Sequence, residues 1–227
     1  MIQSKYPRKL TMRTFDYLLS DFDGVIVNTE IPAAEAEIAT LQEFGHDANL
    51  AILKQLAVMS LDLFVRHFEA DPRRSQQLKE TLSRRYEEIF QKIEVLPGFL
   101  TTVATFEGKW NIVTNQTRAT LVRRLGASQL PETWAHLAIS RDDVPRVKPA
   151  PDSYTLAIRQ SGVHPSTIVA VEDSPHGIRA AIDAGLFTLG LPTGIFGPAD
   201  LAAAGATVIS SWYDVLEYLN VQKKHLS

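Results

Sequence analysis

Tyr17-Leu18-Leu19-Ser20-Asp21-Phe22-Asp23-Gly24 is the stretch on which the reading of this chain turns, because a short apolar run stops abruptly at two carboxylates with a glycine behind them. The same arrangement recurs downstream. Trp110-Asn111-Ile112-Val113 runs into Thr114-Asn115, and Ile168-Val169-Ala170-Val171 runs into Glu172-Asp173. Near-continuous apolar runs of this length suit strands of a parallel sheet buried on both faces. Weaker strand candidates follow at Thr188 to Leu191 and Thr207 to Ile209. Helical segments separate them. Ser174-Pro175 offers a cap and a proline for a helix through Ala184 that Gly185 stops; Asp152 to Gln160 ends near Gly162, and Arg118 to Leu125 ends at Gly126. Strand and helix in alternation predict an α/β fold with a doubly wound, Rossmann-like parallel sheet.

Residues 31–96 break that alternation. Ile38, Leu41 and Phe44 recur at helical spacing before Gly45, and Leu78, Leu82, Ile89 and Ile93 do so after Pro72. The segment reads as an inserted α-helical cap domain, with junctions at Asn28 to Pro32 and at the turn signal Leu96-Pro97-Gly98. The core domain is then discontinuous, residues 1–30 and 97–227, and the insert is placed to act as a lid.

Composition removes several function classes. At 227 residues and 45% hydrophobic the chain can bury a full core, and a formal net charge of -3 with interspersed signs lacks the clustered positive field that nucleic acid or an anionic membrane requires. No cysteine is present, so disulfides, thiolate zinc sites and a cysteine nucleophile are excluded together. Met1 to Thr14 carries Lys5, Arg8, Lys9 and Arg13 without the apolar stretch of a secretory signal, and reads as a loose leader of a cytoplasmic protein. Small or neutral partners are expected, with no nucleic acid and no membrane.

Ligands of open parallel sheets bind beyond the carboxyl ends of the strands, so Asp21, Asp23, Thr114, Glu172 and Asp173 should converge. Four carboxylates in one crevice persist ionised only if a cation or several donors compensate them, and an oxygen-only ligand set favours magnesium over zinc. Lys148, on the proline-stiffened Val147-Lys148-Pro149-Ala150-Pro151 loop, supplies a fixed positive charge. His176 and the insert's Arg66, Arg73, Arg74, Arg84 and Arg85 read as solvent-facing helix residues.

These motifs resemble those of the haloacid dehalogenase superfamily. Asp21-Phe22-Asp23-Gly24-Val25-Ile26-Val27 is similar to its first motif, Val113-Thr114-Asn115 to its second, Lys148-Pro149 to its third and Val171-Glu172-Asp173-Ser174 to its fourth, with the insert where that superfamily carries a helical cap. The closer resemblance is to the branch of β-phosphoglucomutase and sugar-phosphate phosphatases. It implies a monomeric, magnesium-dependent phosphomonoester hydrolase acting on a small phosphorylated metabolite, a sugar phosphate by class, in which Asp21 forms an aspartyl-phosphate and Asp23 serves as acid and then base. It further implies that Thr114 and Lys148 stabilise the phosphoryl group, that Asn115 and Gly24 border the substrate, and that Asp21, Asp23 through its backbone carbonyl, Glu172 and Asp173 hold the metal. A phosphosugar mutase and a receiver-like signalling module are the alternatives. Ala33 stands where the mutases carry histidine, and Val58-Met59-Ser60-Leu61 lacks their cap arginine, which shifts weight to hydrolysis. Asn28 replaces an aspartate common among relatives, while Asp23 argues against dehalogenation.

Overall fold

A computed structural model describes residues 15–57 and 59–221. The expected leader, Met1 to Thr14, and Val58 lie outside the described residues. Five strands, β1 (Tyr17–Ser20), β2 (Lys109–Ile112), β3 (Ile168–Glu172), β4 (Phe187–Gly190) and β5 (Thr207–Val208), form a parallel sheet in the order β2-β1-β3-β4-β5. Successive residues serve opposite faces, as the two-residue period of a strand dictates. Leu18, Val169 and Val171 join one apolar cluster while Leu19, Ile168 and Ala170 join another, so both faces of the sheet are covered.

The first face is covered by α5 (Phe99–Thr105), α6 (Arg118–Ala127), α7 (Trp134–Leu137) and α11 (Trp212–Val221), through Phe99, Leu121, Leu125, Ala135 and Val215. Helices α8 (Asp152–Ser161) and α9 (Pro175–Asp183) cover the second through Tyr154, Ala157, Ala180 and Ala181. Local chemistry sets the helix ends as expected for α9: the Ser174 hydroxyl accepts from Gly177 N at 3.1 Å, and Gly185 takes φ 87°. Helix α8 likewise stops at Gly162, φ 71°. Two expectations shift. Helix α6 runs through Gly126 and ends at Ser128, whose hydroxyl satisfies the carbonyls of Arg124 and Leu125 at 2.8 and 3.0 Å, and Gln129 takes the left-handed turn. The Leu78 to Ile93 pattern belongs to a helix that stops at Ile89; Ile93 lies beyond it and is buried against the sheet cluster.

Between β1 and α5 the described residues form four helices and no strand: α1 (Glu30–Glu43), α2 (Leu50–Leu56), α3 (Leu61–Phe68) and α4 (Pro72–Ile89). Asp71 caps α4 through the amides of Arg73 and Arg74. These helices bury Leu41, Leu53, Phe64, Leu78 and Leu82, each large side chain contributing roughly 2 kcal/mol. That cluster continues into Ile178 of α9, Ile195, Phe196 and Leu201 of α10 (Pro198–Ala203). The helical segment therefore rests on residues that follow β3 and β4.

Trp212 ties α11 to the loop after β1. Its indole Nε1 donates to the carbonyl of Val25 at 2.7 Å, its ring meets Phe99 edge-on at 5.0 Å, and its own carbonyl accepts from Thr102 at 2.9 Å. Trp212→Ala should lower stability by about 3–5 kcal/mol in urea denaturation, the cost of a large buried cavity. A loss below about 1 kcal/mol would mean that the loop after β1 is held by something else.

Candidate active site

Register brings the strand ends together. Ser20 pairs with Ile112 on one side and with Val171 on the other, so Asp21 is level with Val113 and Glu172, and Thr114 and Asp173 lie one residue further out. The ladder continues just past the strands, with Asp21 N donating to Val171 O at 3.0 Å and Val113 N to Ser20 O at 2.8 Å. The chain then turns back at once: Gly24 has φ 70° and its N–H reaches the Val27 carbonyl at 2.9 Å. A Cβ at Gly24 would sit 2.0 Å from Oδ2 of Asp173, so only glycine lets the two loops approach.

The carboxylates separate into two environments. Oδ1 of Asp23 accepts from the Thr29 hydroxyl at 2.9 Å and is paired with the guanidinium of Arg124, while its Oδ2 is buried without a hydrogen-bond partner among the described residues. Asp21, Glu172 and Asp173 instead each offer an oxygen within 4.8 Å of the others. The carboxylate of Asp23 stands outside that trio.

Lys148 compensates the trio from beneath. Its ammonium donates to Glu172 Oε1 at 2.6 Å and Val113 O at 2.7 Å, and lies 3.1 Å from Asp21 Oδ1. Asn115 fastens this lysine's backbone at both ends, accepting from Lys148 N at 3.0 Å and donating to Lys148 O at 3.1 Å. Asn115 thus carries the position of the lysine as well as lining the cavity above it. The Tyr154 hydroxyl donates to Glu172 Oε1 at 2.5 Å from the second face of the sheet. Thr114 is buried, its hydroxyl accepting from Gln116 N at 3.1 Å.

One ammonium does not balance this much acid. Burial, opposed by Lys148 and reinforced by Glu172 and Asp23, pushes the Asp21 carboxyl up to about 7. Burial, with the charges of Glu30, Asp21 and Glu172, drives Asp173 well above the carboxylate range. Burial also pushes Glu30 up to about 8, together with Asp23, Asp21 and Glu37. For Lys148 burial acts downward, but Asp21 and Glu172 outweigh it and hold the ammonium above its ordinary value. The remedy consistent with the donor set is a hard divalent cation among the three oxygens: all donors are carboxylates, Glu172 Oε2 has no hydrogen-bond partner among the described residues, and the bare Gly24 and Gly194 leave the room that Asp173 needs.

A cavity of about 500 Å³ opens above these groups, lined by Asp21, Asp23, Thr114, Lys148 and Asp173 among others. His176 also lines it, against the ring of Phe196, instead of facing solvent; burial pulls its imidazole below the ordinary histidine range. None of the five insert arginines lines this cavity; Arg74 clasps Glu69, Arg84 pairs with Glu88 and Arg85 bonds Thr40 and Glu43. Sequence reasoning missed Glu30, Arg124 and Tyr154. Arg124 and Tyr154 sit in helices whose periodicity shows only which face is apolar, and nothing near them in the chain marks a carboxylate partner.

The model of the haloacid dehalogenase-like hydrolase family matches residues 18–191. Pyrophosphatase PpaX of Listeria welshimeri is 26% identical over 196 residues, covering 82% of this chain and 87% of that one. A validoxylamine A 7'-phosphate phosphatase of Streptomyces hygroscopicus subsp. limoneus is 45% identical over 69 residues, 30% of each chain. Among solved structures, a conserved haloacid dehalogenase-like protein of unknown function from Agrobacterium tumefaciens superposes with a TM-score of 0.77 at 28% identity, over 92% of this chain and 99% of that one.

An acid held more protonated when folded than when unfolded loses its stabilising effect as pH rises. In chelator, the raised Asp21, Glu30 and Asp173 should therefore make the thermal midpoint fall between about pH 4 and pH 8. Asp21→Asn should be more stable than the wild type at pH 8, the advantage fading toward pH 4, and a divalent cation should reverse the order. A metal-free wild type that is the more stable protein at pH 8 would contradict the electrostatics.

Proposed function

The chain belongs to the haloacid dehalogenase-like hydrolases and is a phosphatase of that family; on that premise we propose that it hydrolyses the phosphomonoester of a small metabolite, a sugar phosphate by class, with magnesium and through an aspartyl-phosphate on Asp21. The observation that carries the reading is the ammonium of Lys148, 3.1 Å from Asp21 and 2.6 Å from Glu172, under a trio of carboxylates that includes Asp173. Magnesium, held by Asp21, Asp173 and the backbone carbonyl of Asp23 with Glu172 adjoining, would supply positive charge to the phosphoryl oxygens.

The residues divide the work as follows. An Asp21 oxygen forms a bond to phosphorus as the ester P–O bond breaks. The departing alkoxide takes a proton from Asp23, which lines the cavity and is oriented by Thr29 and Arg124 at its Oδ1. Water then gives its proton back to Asp23 while its oxygen attacks phosphorus; the P–O bond to Asp21 breaks and inorganic phosphate leaves. Lys148 stabilises charge on the transferring group throughout, and the Thr114 hydroxyl and Asn115 lie at the phosphoryl side. Helices α1 to α4 form the cap that excludes bulk water.

Hydrolysis is favoured over the mutase alternative by Ala33, which lines the neighbouring cavity without a group to hand a proton to a second phosphoryl acceptor. The curated relatives, named for pyrophosphate and for validoxylamine A 7'-phosphate, support hydrolysis at phosphorus and differ in leaving group.

With p-nitrophenyl phosphate and magnesium, phosphate release should drop by roughly a thousandfold or more in Asp21→Asn, the scale expected on loss of a nucleophile. In Asp23→Asn the activated aryl leaving group still departs but water is poorly activated. A single added phosphoryl group should therefore accumulate on the protein, visible by intact mass. Turnover that survives Asp21→Asn, or an adduct mapped to another residue, would exclude the mechanism.

A further inference from the structure

The steps above use one cavity, yet a second of about 440 Å³ adjoins it and shares Glu30, Ala57, Met59 and Gln116 with it. Asp23 stands at their boundary: it lines the larger cavity, whereas its partners Thr29 and Arg124 line the smaller. A leaving oxygen that takes its proton from Asp23 would therefore have the smaller space beside the rest of its alcohol.

That space has a lopsided polar lining. Leu53, Phe64 and Ile195 wall it with apolar surface, and two carboxylates, Glu30 and Glu37, face it. Tyr86 lies on it too, but its hydroxyl is already donated to Glu37, and Glu30 has no hydrogen-bond donor among the described residues. Among the described residues the one cation in the lining is Arg124, and it is committed: it pairs with Asp23, its guanidinium lies 4.0 Å over the ring of Phe90, and its Nε is sealed from solvent. The exposed Arg141 lines only the larger cavity. The small cavity thus offers carboxyl oxygens as acceptors and no uncommitted cation to neutralise a second anion, and an anion buried there without a counter-charge is strongly unfavourable.

Resting on the phosphomonoesterase reading, we infer that the cavity bounded by Glu30, Glu37 and Tyr86 selects alcohols rich in hydrogen-bond donors, hydroxyl and above all ammonium, and rejects phosphomonoesters that bear a second phosphate or carboxylate. Specificity comes from a repulsive element as much as from an attractive one.

The probes are glucosamine 6-phosphate, glucose 6-phosphate and glucose 1,6-bisphosphate, which share a ring and differ in the added charge. Each is measured as a competitive inhibitor of p-nitrophenyl phosphate turnover, so the comparison holds whether or not the probe is itself turned over. The inhibition constant should rise from the amine to the neutral sugar, and by at least about tenfold more to the bisphosphate. In Glu37→Gln the amine should lose most of its advantage over the neutral sugar, and in Glu37→Lys the bisphosphate should become the tightest of the three. Ratios taken within one protein do not depend on how much of a variant folds. A bisphosphate that binds as tightly as glucose 6-phosphate, failure of all three to inhibit, or ratios indifferent to Glu37 would overturn the inference while aryl-phosphate hydrolysis stood. Absence of aryl-phosphate hydrolysis would instead sink the reading beneath it.

Discussion

The rest of the structure depends on a buried ammonium. Lys148 reaches under the strand ends to Glu172, Val113 and Asp21, and without it the β1 and β3 ends would bring together carboxylates that repel one another in a low-dielectric pocket. A buried ion pair of this kind adds little net stability against its desolvation cost, but it is stringent about position. The Lys148 backbone is accordingly gripped at both N–H and C=O by Asn115, and Tyr154 approaches Glu172 from the opposite face. Charge compensation left incomplete by one lysine is what, on the function proposed, suits the site to a divalent cation and an anionic phosphoryl group.

The second organising contact is Arg124. It crosses from α6 to Asp23 while its guanidinium stacks on Phe90 at the end of α4, so one side chain touches both the proposed proton carrier and the helical segment above it. The position of α4 and the orientation of Asp23 are thereby joined through a single planar cation. In the proposed mechanism phosphoryl chemistry and leaving-group selection meet at the same carboxylate, since the arginine that orients Asp23 is also the cation committed away from the smaller cavity.

Much of this was legible in the chain because it is written in short-range signals. Strand positions followed from apolar runs, the α9 boundaries from Ser174, Pro175 and Gly185, and the helical character of the segment after Asn28 from the Ile38, Leu41 and Leu78, Leu82 spacings. The rule that ligands gather beyond parallel strand ends then nominated Asp21, Asp23, Thr114, Glu172 and Asp173 from a one-dimensional pattern, and four motifs in order added Lys148. Where the pattern misled, as at Gly126 and Ile93, a side-chain cap or burial against the sheet displaced the boundary by a few residues.

What the sequence by itself determined, then, is which residues stand at strand ends and helix starts, because those depend on backbone periodicity and neighbours within a turn. Only the tertiary structure decided that Asp23 is held by an arginine 101 residues away, that Tyr154 supports Glu172, that His176 faces the cavity and that Glu30 and Glu37 make its neighbour acidic. Those pairings depend on the angles and separations at which helices pack on the sheet, set by the whole core together, and no local pattern in the chain records them.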